Sequence, residues 1–239
     1  MNAEVKHALR TAVIIPAGGR GTRVGGKIPK QFTRIGEESI LERTLRAFHR
    51  HPLVVEIIVA CSLEHRNRVG RSLEQLRKGI LTATAPGGPD RQTSVWNAMQ
   101  AIRSEAEIVL IHDAVRPFVT RDLISGVIEA AGRYGAAVAA IPARDTLLRQ
   151  GSGGMIDGVI DRTSCWLAQT PQAFRRELIL RAFRSAQRSD FHGTDDASLV
   201  LRLHHEVKVV QGLDGNGKIT TPHDLAIARL LAVTRKPRR

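Results

Sequence analysis

The stretch from Val13 to Gln31 reads Val-Ile-Ile-Pro-Ala-Gly-Gly-Arg-Gly-Thr-Arg-Val-Gly-Gly-Lys-Ile-Pro-Lys-Gln. A short β-branched run leads directly into a glycine-rich loop. The loop has no Cβ at Gly18, Gly19 and Gly21, so its backbone N–H groups can approach anionic oxygens closely. Four cations lie in the same stretch: Arg20, Arg23, Lys27 and Lys30. The stretch therefore predicts a strand followed by a loop that binds a polyphosphate.

The spacing of this loop differs from the two common nucleotide fingerprints. No Gly-Lys-Ser/Thr follows Gly21, as a Walker A loop requires, and Arg23-Val24 stands where a dinucleotide loop has its third glycine. Cations placed directly on the phosphates favour a nucleotide that reacts at phosphorus. A plain connecting turn, which is common after the first strand of an α/β fold, is the alternative interpretation.

Strand-like and helix-like patterns alternate along the rest of the chain. Strands are predicted at Thr11–Pro16, Val54–Cys61, Ile80–Ala85, Ile108–His112, Ala136–Ile141, Glu206–Gln211 and Lys218–Thr220. Helices are predicted at Ser39–His51, Ser62–Arg77, Gln92–Arg103, Asp122–Tyr134, Arg176–Gln187, Asp195–His204 and Pro222–Thr234. This order predicts an α/β fold of Rossmann-like type, with a mostly parallel sheet and helices on both faces.

The alternation stops after Pro142. Glycines and two short β-like pieces, Thr146–Arg149 and Met155–Asp161, predict a hairpin that leaves the main sheet. We expect a single domain over residues 1–239 with a protruding β-arm at about 143–170.

The chain has 36 basic and 23 acidic residues, a formal net charge of +13. Nucleic acid, an anionic membrane surface or a small polyanionic substrate would each suit this charge. Aromatic residues make up only 4% of the chain, and Tyr134 is its only tyrosine. The stacking platforms expected of a nucleic-acid-binding protein are therefore scarce.

The two cysteines and nine histidines form no recognisable metal motif. No apolar run approaches the roughly 20 residues of a membrane span, and the first residues lack a signal-peptide core. The sequence predicts a cytoplasmic protein with no membrane partner and no protein-held zinc.

Two further segments carry chemistry at predicted strand ends. The segment from Gly87 to Val95 joins a glycine turn to a helix N-terminus, where anions are favoured; a plain turn with a capped helix is the alternative. The segment from His112 to Pro117 closes a buried strand with Asp113 and Arg116. Asp113 suits a metal or a sugar hydroxyl, and Arg116 suits a phosphate. The alternative is that the two residues form only a local ion pair.

These motifs together resemble the 2-C-methyl-D-erythritol 4-phosphate cytidylyltransferase family over about residues 12–232. The first loop, Gly-Gly-Pro-Asp-Arg-Gln-Thr-Ser-Val and His-Asp-Ala-Val-Arg-Pro carry the resemblance. It is extended by Ala-Arg-Asp-Thr, Asp-Arg-Thr-Ser-Cys-Trp-Leu-Ala-Gln-Thr-Pro-Gln, Thr-Asp-Asp-Ala and Lys-Ile-Thr-Thr-Pro-His-Asp-Leu. The resemblance implies a nucleotidyltransferase that joins CTP to methylerythritol phosphate and releases pyrophosphate, with Mg²⁺ mainly on the CTP phosphates, in a homodimer with interlocking arms.

By position, the resemblance also implies the site residues. The catalytic cations would be Arg23, Lys30 and Lys218. The nucleotide would be bound by Ala17, Gly18, Gly19, Gly88, Arg91, Ser94 and Asp113. The acceptor would be bound by Arg116, Thr146, Arg162, Thr170, Thr194 and Thr220, of which Thr146 and Arg162 would reach the partner subunit's site. No protein residue is assigned to the metal.

Two alternative functions remain at this point. A ribitol 5-phosphate cytidylyltransferase shares the first loop and the His-Asp-Ala-Val-Arg-Pro segment, although the stretch from Asp161 to Gln169 looks more like the methylerythritol enzyme. A nucleic-acid-binding protein on a transferase-like fold is the alternative that the charge suggests.

Overall fold

The structure is a computed structural model that describes residues 9–19, 28–76 and 79–234. Its main feature is a seven-stranded sheet, whose strands are β1 (Thr11–Pro16), β4 (Val54–Cys61), β5 (Leu81–Pro86), β6 (Ile108–Ile111), β7 (Ala136–Pro142), β10 (Trp166–Arg175) and β11 (Lys208–Gln211). Two hairpins complete the strands: β2 (Arg34–Ile35) with β3 (Glu38–Ser39), and β8 (Leu147–Gln150) with β9 (Ile156–Ile160).

The sheet has the order β11-β7-β10-β6-β1-β4-β5. All neighbouring strands are parallel except β10, which runs antiparallel to both β6 and β7. The ladder between β10 and β7 is interrupted between Ala168 and Gln172. The prediction of a mostly parallel α/β sheet is confirmed.

Seven α-helices accompany the sheet in the described part of the chain: α1 (Ile40–His49), α2 (Arg66–Glu74), α3 (Arg91–Gln100), α4 (Arg121–Tyr134), α5 (Arg176–Arg188), α6 (Asp196–Leu201) and α7 (Pro222–Thr234). A capping box starts α1, in which Ser39 accepts from the Glu42 N–H and Glu42 accepts from the Ser39 N–H. Among the described residues, no helix is long and apolar enough to cross a membrane.

The core is mostly aliphatic, with a few fully buried phenylalanines such as Phe48, Phe174 and Phe183. Buried side chains of alternate residues along β1 fall into different clusters: Val13 and Ile15 pack with α1 and α4, and Ile14 packs with α3 and α5. Helices therefore cover both faces of the sheet, which is why its strands read as continuous apolar runs. A third cluster joins α7 to the β2–β3 hairpin and to Val115 and Phe118.

The predicted arm is observed as the β8–β9 hairpin. Leu148 lies opposite Val159 in this hairpin, and both side chains are largely exposed, 55% and 70% respectively. Further exposed apolar side chains of the arm are Met155, Ile156 and Ile160.

Two sequence-based assignments need correction. Residues 166–175 form a central strand, β10, although residues 166–170 were predicted as the end of the arm and residues 171–175 were assigned to no element. Residues 218–220 form no strand; Ile219 makes one backbone hydrogen bond, from its N–H to the Val115 carbonyl, and no ladder continues from it. Several helices also end earlier than predicted: α2 stops at Glu74 and α6 stops at Leu201.

Candidate functional site

A cleft of about 300 Å³ opens where β1 and β6 end and α3 begins. The carboxyl ends of parallel strands are the usual ligand site in open α/β sheets. The side chains and backbone that line it include Ala17, Gly18, Gly19, Lys30, Gln31, Gly88, Asp90, Arg91, Ser94, Asp113 and Lys218.

Hydrogen bonds fix the turn before α3. The Gly88 N–H donates to Ser94 Oγ at 2.9 Å, and Ser94 Oγ donates to the Asp90 carbonyl at 2.8 Å. Asp90 caps the helix by accepting from the Thr93 N–H at 2.7 Å. The turn is thus held at a ten-residue helix whose N-terminus carries partial positive charge toward the cleft.

Gln31 fixes the loop on the other side of the cleft. Its side chain is almost fully buried and donates to the Ala17 carbonyl at 2.8 Å. The Gln31 amide also lies 3.4 Å from the Gly19 carbonyl. The sequence predicts no role for Gln31; in the structure this residue holds the backbone after β1.

Asp113 lies at the centre of a cluster of cations. Lys218 Nζ is 2.9 Å from its Oδ2, Arg91 Nε is 3.2 Å from its Oδ1, and Arg116 Nε is 3.5 Å from its Oδ2. Arg91 also donates to Asp196 at 2.7 Å. One carboxylate therefore orients three cations that come from α3, the loop after β6 and the segment before α7.

This cluster sets the charge states in the cleft. Burial would raise the pKa of Asp113, but Arg91, Lys218 and Arg116 hold it well below its ordinary value. Burial disfavours the charge on Arg91, but Asp196 and Asp113 raise its pKa above the ordinary value. Asp113 is thus ionised and Arg91 charged at neutral pH.

A buried chain of hydrogen bonds lies behind Asp113. The Asp113 N–H donates to Thr170 Oγ1 at 3.0 Å, and Thr170 Oγ1 lies 3.1 Å from His112 Nδ1. His112 Nε2 is 3.0 Å from the Arg116 carbonyl, which can only accept. The consistent assignment is a neutral His112 protonated on Nε2, with the Thr170 hydroxyl donating to Nδ1.

Acid should destabilise the protein through His112. Burial lowers its pKa from an ordinary 6.5 to about 4. The unfolded chain therefore binds this proton first as the pH falls, so stability is full above about pH 6.5 and declines until about pH 4, by on the order of 3 kcal/mol. Burial and the Arg121 charge also lower the pKa of His51, which adds to the same trend. The depressed pKa of Asp113 costs stability only at lower pH.

Urea unfolding between pH 7.5 and pH 4.5 measures this effect. We expect the midpoint to fall steadily below pH 6.5 in the wild-type protein. His112→Gln should lower the stability at pH 7.5 and flatten the dependence. An unchanged slope in this variant would contradict the assignment of a neutral, buried His112.

Two glycines of the cleft should respond differently to alanine. A Cβ on Gly88 would overlap the Thr93 side chain and lie 3.1 Å from the Ser94 nitrogen, whereas a Cβ on Gly19 has no described heavy atom within 4 Å. Gly88→Ala should cost about 1–3 kcal/mol of stability by displacing the turn. Gly19→Ala should leave stability unchanged and raise the KM for a substrate that carries phosphate, because only a closely approaching ligand would meet its methyl group. Thermal unfolding and initial rates of both variants separate the two effects.

The structure brings together most of the residues predicted for the nucleotide and the catalytic step. Among the predicted residues, those lining the cleft are Ala17, Gly18, Gly19, Lys30, Gly88, Arg91, Ser94, Asp113 and Lys218. Arg23 lies outside the described residues. The local ion pair between Asp113 and Arg116, weighed as an alternative, is present together with the cleft.

The residues predicted for the acceptor are distributed differently. Arg116 and Thr170 lie directly behind Asp113, where Arg116 also donates to the Asn216 carbonyl at 2.9 Å. The Thr220 hydroxyl donates to Asp224 at 2.9 Å. Thr194 is exposed, and Asp195, not Thr194, caps α6. No described residue lining the cleft comes from the arm, where Thr146 and Arg162 lie exposed.

Some buried partners of this site were not predicted from the sequence. Asp196 anchors Arg91, and Asn216 donates to the Thr170 carbonyl at 2.8 Å and to Gln169 Oε1 at 3.1 Å. The Thr-Asp-Asp-Ala motif includes Asp196, but the prediction selected only Thr194 from this motif as a site residue. No comparable signal marked Asn216.

The arrangement suits chemistry at a phosphoryl group. Backbone N–H groups without an overlying Cβ, a helix N-terminus and cations on a fixed carboxylate stabilise negative charge. Within the part of the chain that the structure describes, no group of three or more His, Cys, Asp or Glu side chains is placed to hold a metal.

Known proteins with similar sequences agree with a site for chemistry at a phosphoryl group. The family model described as 2-C-methyl-D-erythritol 4-phosphate cytidylyltransferase matches residues 11–234. The protein of that name from Symbiobacterium thermophilum is 44% identical over 222 residues, which cover 92% of each chain. The one from Syntrophus aciditrophicus is 45% identical over 222 residues, 92% of this chain and 94% of the relative.

Solved structures give the same result for the fold. The 4-diphosphocytidyl-2C-methyl-D-erythritol synthase from Anaerococcus prevotii superimposes with a TM-score of 0.84 at 29% identity, covering 95% of this chain and all of that one. The 2-C-methyl-D-erythritol 4-phosphate cytidylyltransferase from Thermus thermophilus gives a TM-score of 0.77 at 36% identity, covering 94% and 99%. On its sequence, its fold and the residues of its cleft, this chain belongs to the 2-C-methyl-D-erythritol 4-phosphate cytidylyltransferase family.

Proposed function

We propose that the cleft around Asp113 is the place where this chain carries out its family's reaction. The chain is a nucleotidyltransferase that transfers the cytidylyl group of CTP to 2-C-methyl-D-erythritol 4-phosphate, with release of pyrophosphate, in isoprenoid biosynthesis. The observation that carries the assignment of the site is the contact of Arg91 and Lys218 with one ionised carboxylate beside two glycine turns.

The reaction needs positioning more than acid–base chemistry. An anionic oxygen of the acceptor phosphate forms a bond to the α-phosphorus of CTP, and the bond to the leaving pyrophosphate breaks. Since the nucleophile is already anionic, no strong general base is required. The protein must bring two mutually repelling anions together and stabilise the charge on the α-phosphoryl group.

The cations of the cleft supply that stabilisation. Lys30 and Lys218 face the cleft from two different segments, and Arg23 belongs to the same set by sequence. Asp113 keeps Lys218 and Arg91 oriented before the nucleotide arrives. The backbone at Gly18, Gly19 and Gly88 would bind the triphosphate and the base, with Ala17 and Ser94 beside them.

Magnesium fits this donor set only as a partner of the nucleotide. Asp113 is an ionised carboxylate in the cleft, but Lys218 and Arg91 occupy its oxygens. One carboxylate with substrate phosphates and water is a common environment for Mg²⁺. When bound, the ion would neutralise charge on the triphosphate.

We also propose a homodimer in which the arms complete the acceptor site. Thr146 and Arg162 lie on the arm, away from the cleft of their own chain, and the β8–β9 hairpin exposes Leu148, Met155 and Val159. An apolar patch of this kind favours contact with another chain. Arg116, Thr170, Thr194 and Thr220 are the candidates for acceptor contacts from the chain's own side. The supply of CTP suits a cytoplasmic location.

Pyrophosphate release tests the acceptor directly. The assay compares methylerythritol phosphate with ribitol 5-phosphate at equal concentrations of CTP and Mg²⁺. We expect strong preference for methylerythritol phosphate. Preference for ribitol 5-phosphate would contradict the proposed acceptor but would leave the proposed catalytic site unaffected. Turnover that survives Lys30→Ala together with Lys218→Ala would contradict the site itself. A shift of duplex or single-stranded DNA at physiological salt would favour the nucleic-acid alternative.

A further inference from the structure

A second cavity of about 330 Å³ lies between α1 and the segment that joins β6 to α4. Four arginines line it: Arg43, Arg46, Arg50 and Arg121. The first two belong to α1, Arg50 follows that helix directly, and Arg121 is the first residue of α4. Its size is within the range of small-molecule sites, roughly 300–1,000 Å³.

The charges in this cavity are unbalanced. Glu38 is the only acidic residue among the described residues that line it, and it pairs with Arg46. The Arg43 Cζ lies over the Phe118 ring, 5.0 Å from its centroid, in a cation–π contact. Arg50 and Arg121 are exposed at the opening.

Neighbouring positive charge adds to burial in lowering the pKa of two members of the cavity. Burial and the neighbouring Arg50 charge lower the pKa of Arg46, although Glu37 opposes the change. Burial and the Arg121 charge lower the pKa of His51. An anion in the cavity would remove this repulsion.

The floor of the cavity is already formed. His51 is 1% exposed, and its Nε2 lies 2.9 Å from Ser125 Oγ on α4. Pro117 and Val119 are buried and add an apolar surface. A preformed, partly apolar site with a few convergent charged groups is typical of small-ligand binding.

We propose that this cavity binds a small anion with two or more phosphate groups and acts as an effector site. Guanidinium groups bind phosphate oxygens in bidentate geometry, and several converging ones favour a ligand with several phosphates. Anion binding in this cavity does not depend on the cytidylyl transfer reaction, because it involves residues outside the cleft, whereas the effector role rests on the proposed function.

The position of the cavity predicts an effect on the cleft. The segment after β6 places Asp113, Ala114 and Val115 in the cleft and Pro117 and Val119 in the cavity. Thr44 on α1 lies 3.1 Å from the Ala114 carbonyl and joins the two sites from the other side. A ligand bound in the cavity should therefore shift the segment after β6 and change the position of the Asp113 side chain in the cleft.

The test titrates inorganic tripolyphosphate into enzyme saturated with CTP at fixed free Mg²⁺, so that the cleft is already filled. We expect one saturable site in a calorimetric titration. Arg50→Gln with Arg121→Gln should weaken it at least tenfold. The matched control is Arg181→Gln with Arg184→Gln, which removes the same charge from another arginine-lined surface on α5; it should change the Kd less than twofold.

Two further readouts complete the test. Circular dichroism should show unchanged unfolding of both double variants, because all four side chains are exposed. Saturating tripolyphosphate should alter kcat at least twofold in the wild type and leave it unchanged in the Arg50/Arg121 variant. Equal weakening in both double variants, or no saturable binding, would overturn the site; binding without any change in kcat would overturn the effector role.

Discussion

Replacing Lys30 by alanine should lower kcat by about 10²–10³-fold, the loss typical of removing one donor that stabilises transition-state charge. Lys30 lines the cleft directly after the first loop. Its ammonium group is lost in the variant, while the buried neighbours Gln31 and Phe32 that hold the segment remain. Stability should therefore change little. Single-turnover rates at saturating CTP, together with thermal unfolding, measure the two quantities separately.

The control for this prediction is Lys208→Ala. Lys208 is an exposed cation on β11 that contacts the Tyr134 ring rather than the cleft. The Lys208→Ala substitution removes the same charge as Lys30→Ala, so it measures any general electrostatic effect on substrate binding. Equal losses in the two variants, or near-normal turnover of Lys30→Ala, would remove Lys30 from the catalytic role.

Asp113→Asn should lower both stability and activity. The carboxylate contacts Arg91, Lys218 and Arg116, and the amide leaves these cations without their counter-charge. We expect a loss of about 2–4 kcal/mol in the free energy of unfolding, less than the full cost of breaking a buried pair because Lys218 and Arg91 keep some contact with water. Bound CTP should restore more stability in the variant than in the wild type, since its phosphates replace the missing charge.

Asp214→Asn provides the comparison. Asp214 pairs with Arg144 at 2.8 Å, but both side chains are more than half exposed, 60% and 71%. Such a pair contributes at most about 1 kcal/mol. Urea unfolding with and without CTP should separate the two variants clearly; a similar small loss in both would show that Asp113 does not hold the cations of the cleft.

The sequence predicted the sheet wherever burial dictated residue type. Val54–Cys61 was predicted with the bounds that the structure has, because both faces of this strand are covered and nearly every residue is apolar. The strand β10 was missed for the opposite reason. Gln169, Thr170 and Gln172 are polar, and Pro171 argues against a central strand.

The polar residues of β10 are buried because the site and its surroundings satisfy them. Thr170 bonds to Asp113 and His112, and Gln172 donates to Asp195 at 2.8 Å. These partners are distant in the chain, so no local pattern reveals them. The same limit applies to the site: the resemblance named Arg91, Asp113 and Lys218, but their mutual contacts and Asp196 came only from the structure.

The segment that provides Lys218 follows the last strand of the main sheet. β11 ends at Gln211, so a chain still being synthesised can contain every strand of the sheet before residue 212 has been added. Lys218 then joins Asp113, and Asn216 joins Gln169 and Thr170, across separations of more than 40 residues. Domains generally fold as their N-terminal parts emerge. The cleft is therefore completed only after the scaffold, and a nascent chain would lack the contact between Lys218 and Asp113 until residue 218 has left the ribosome.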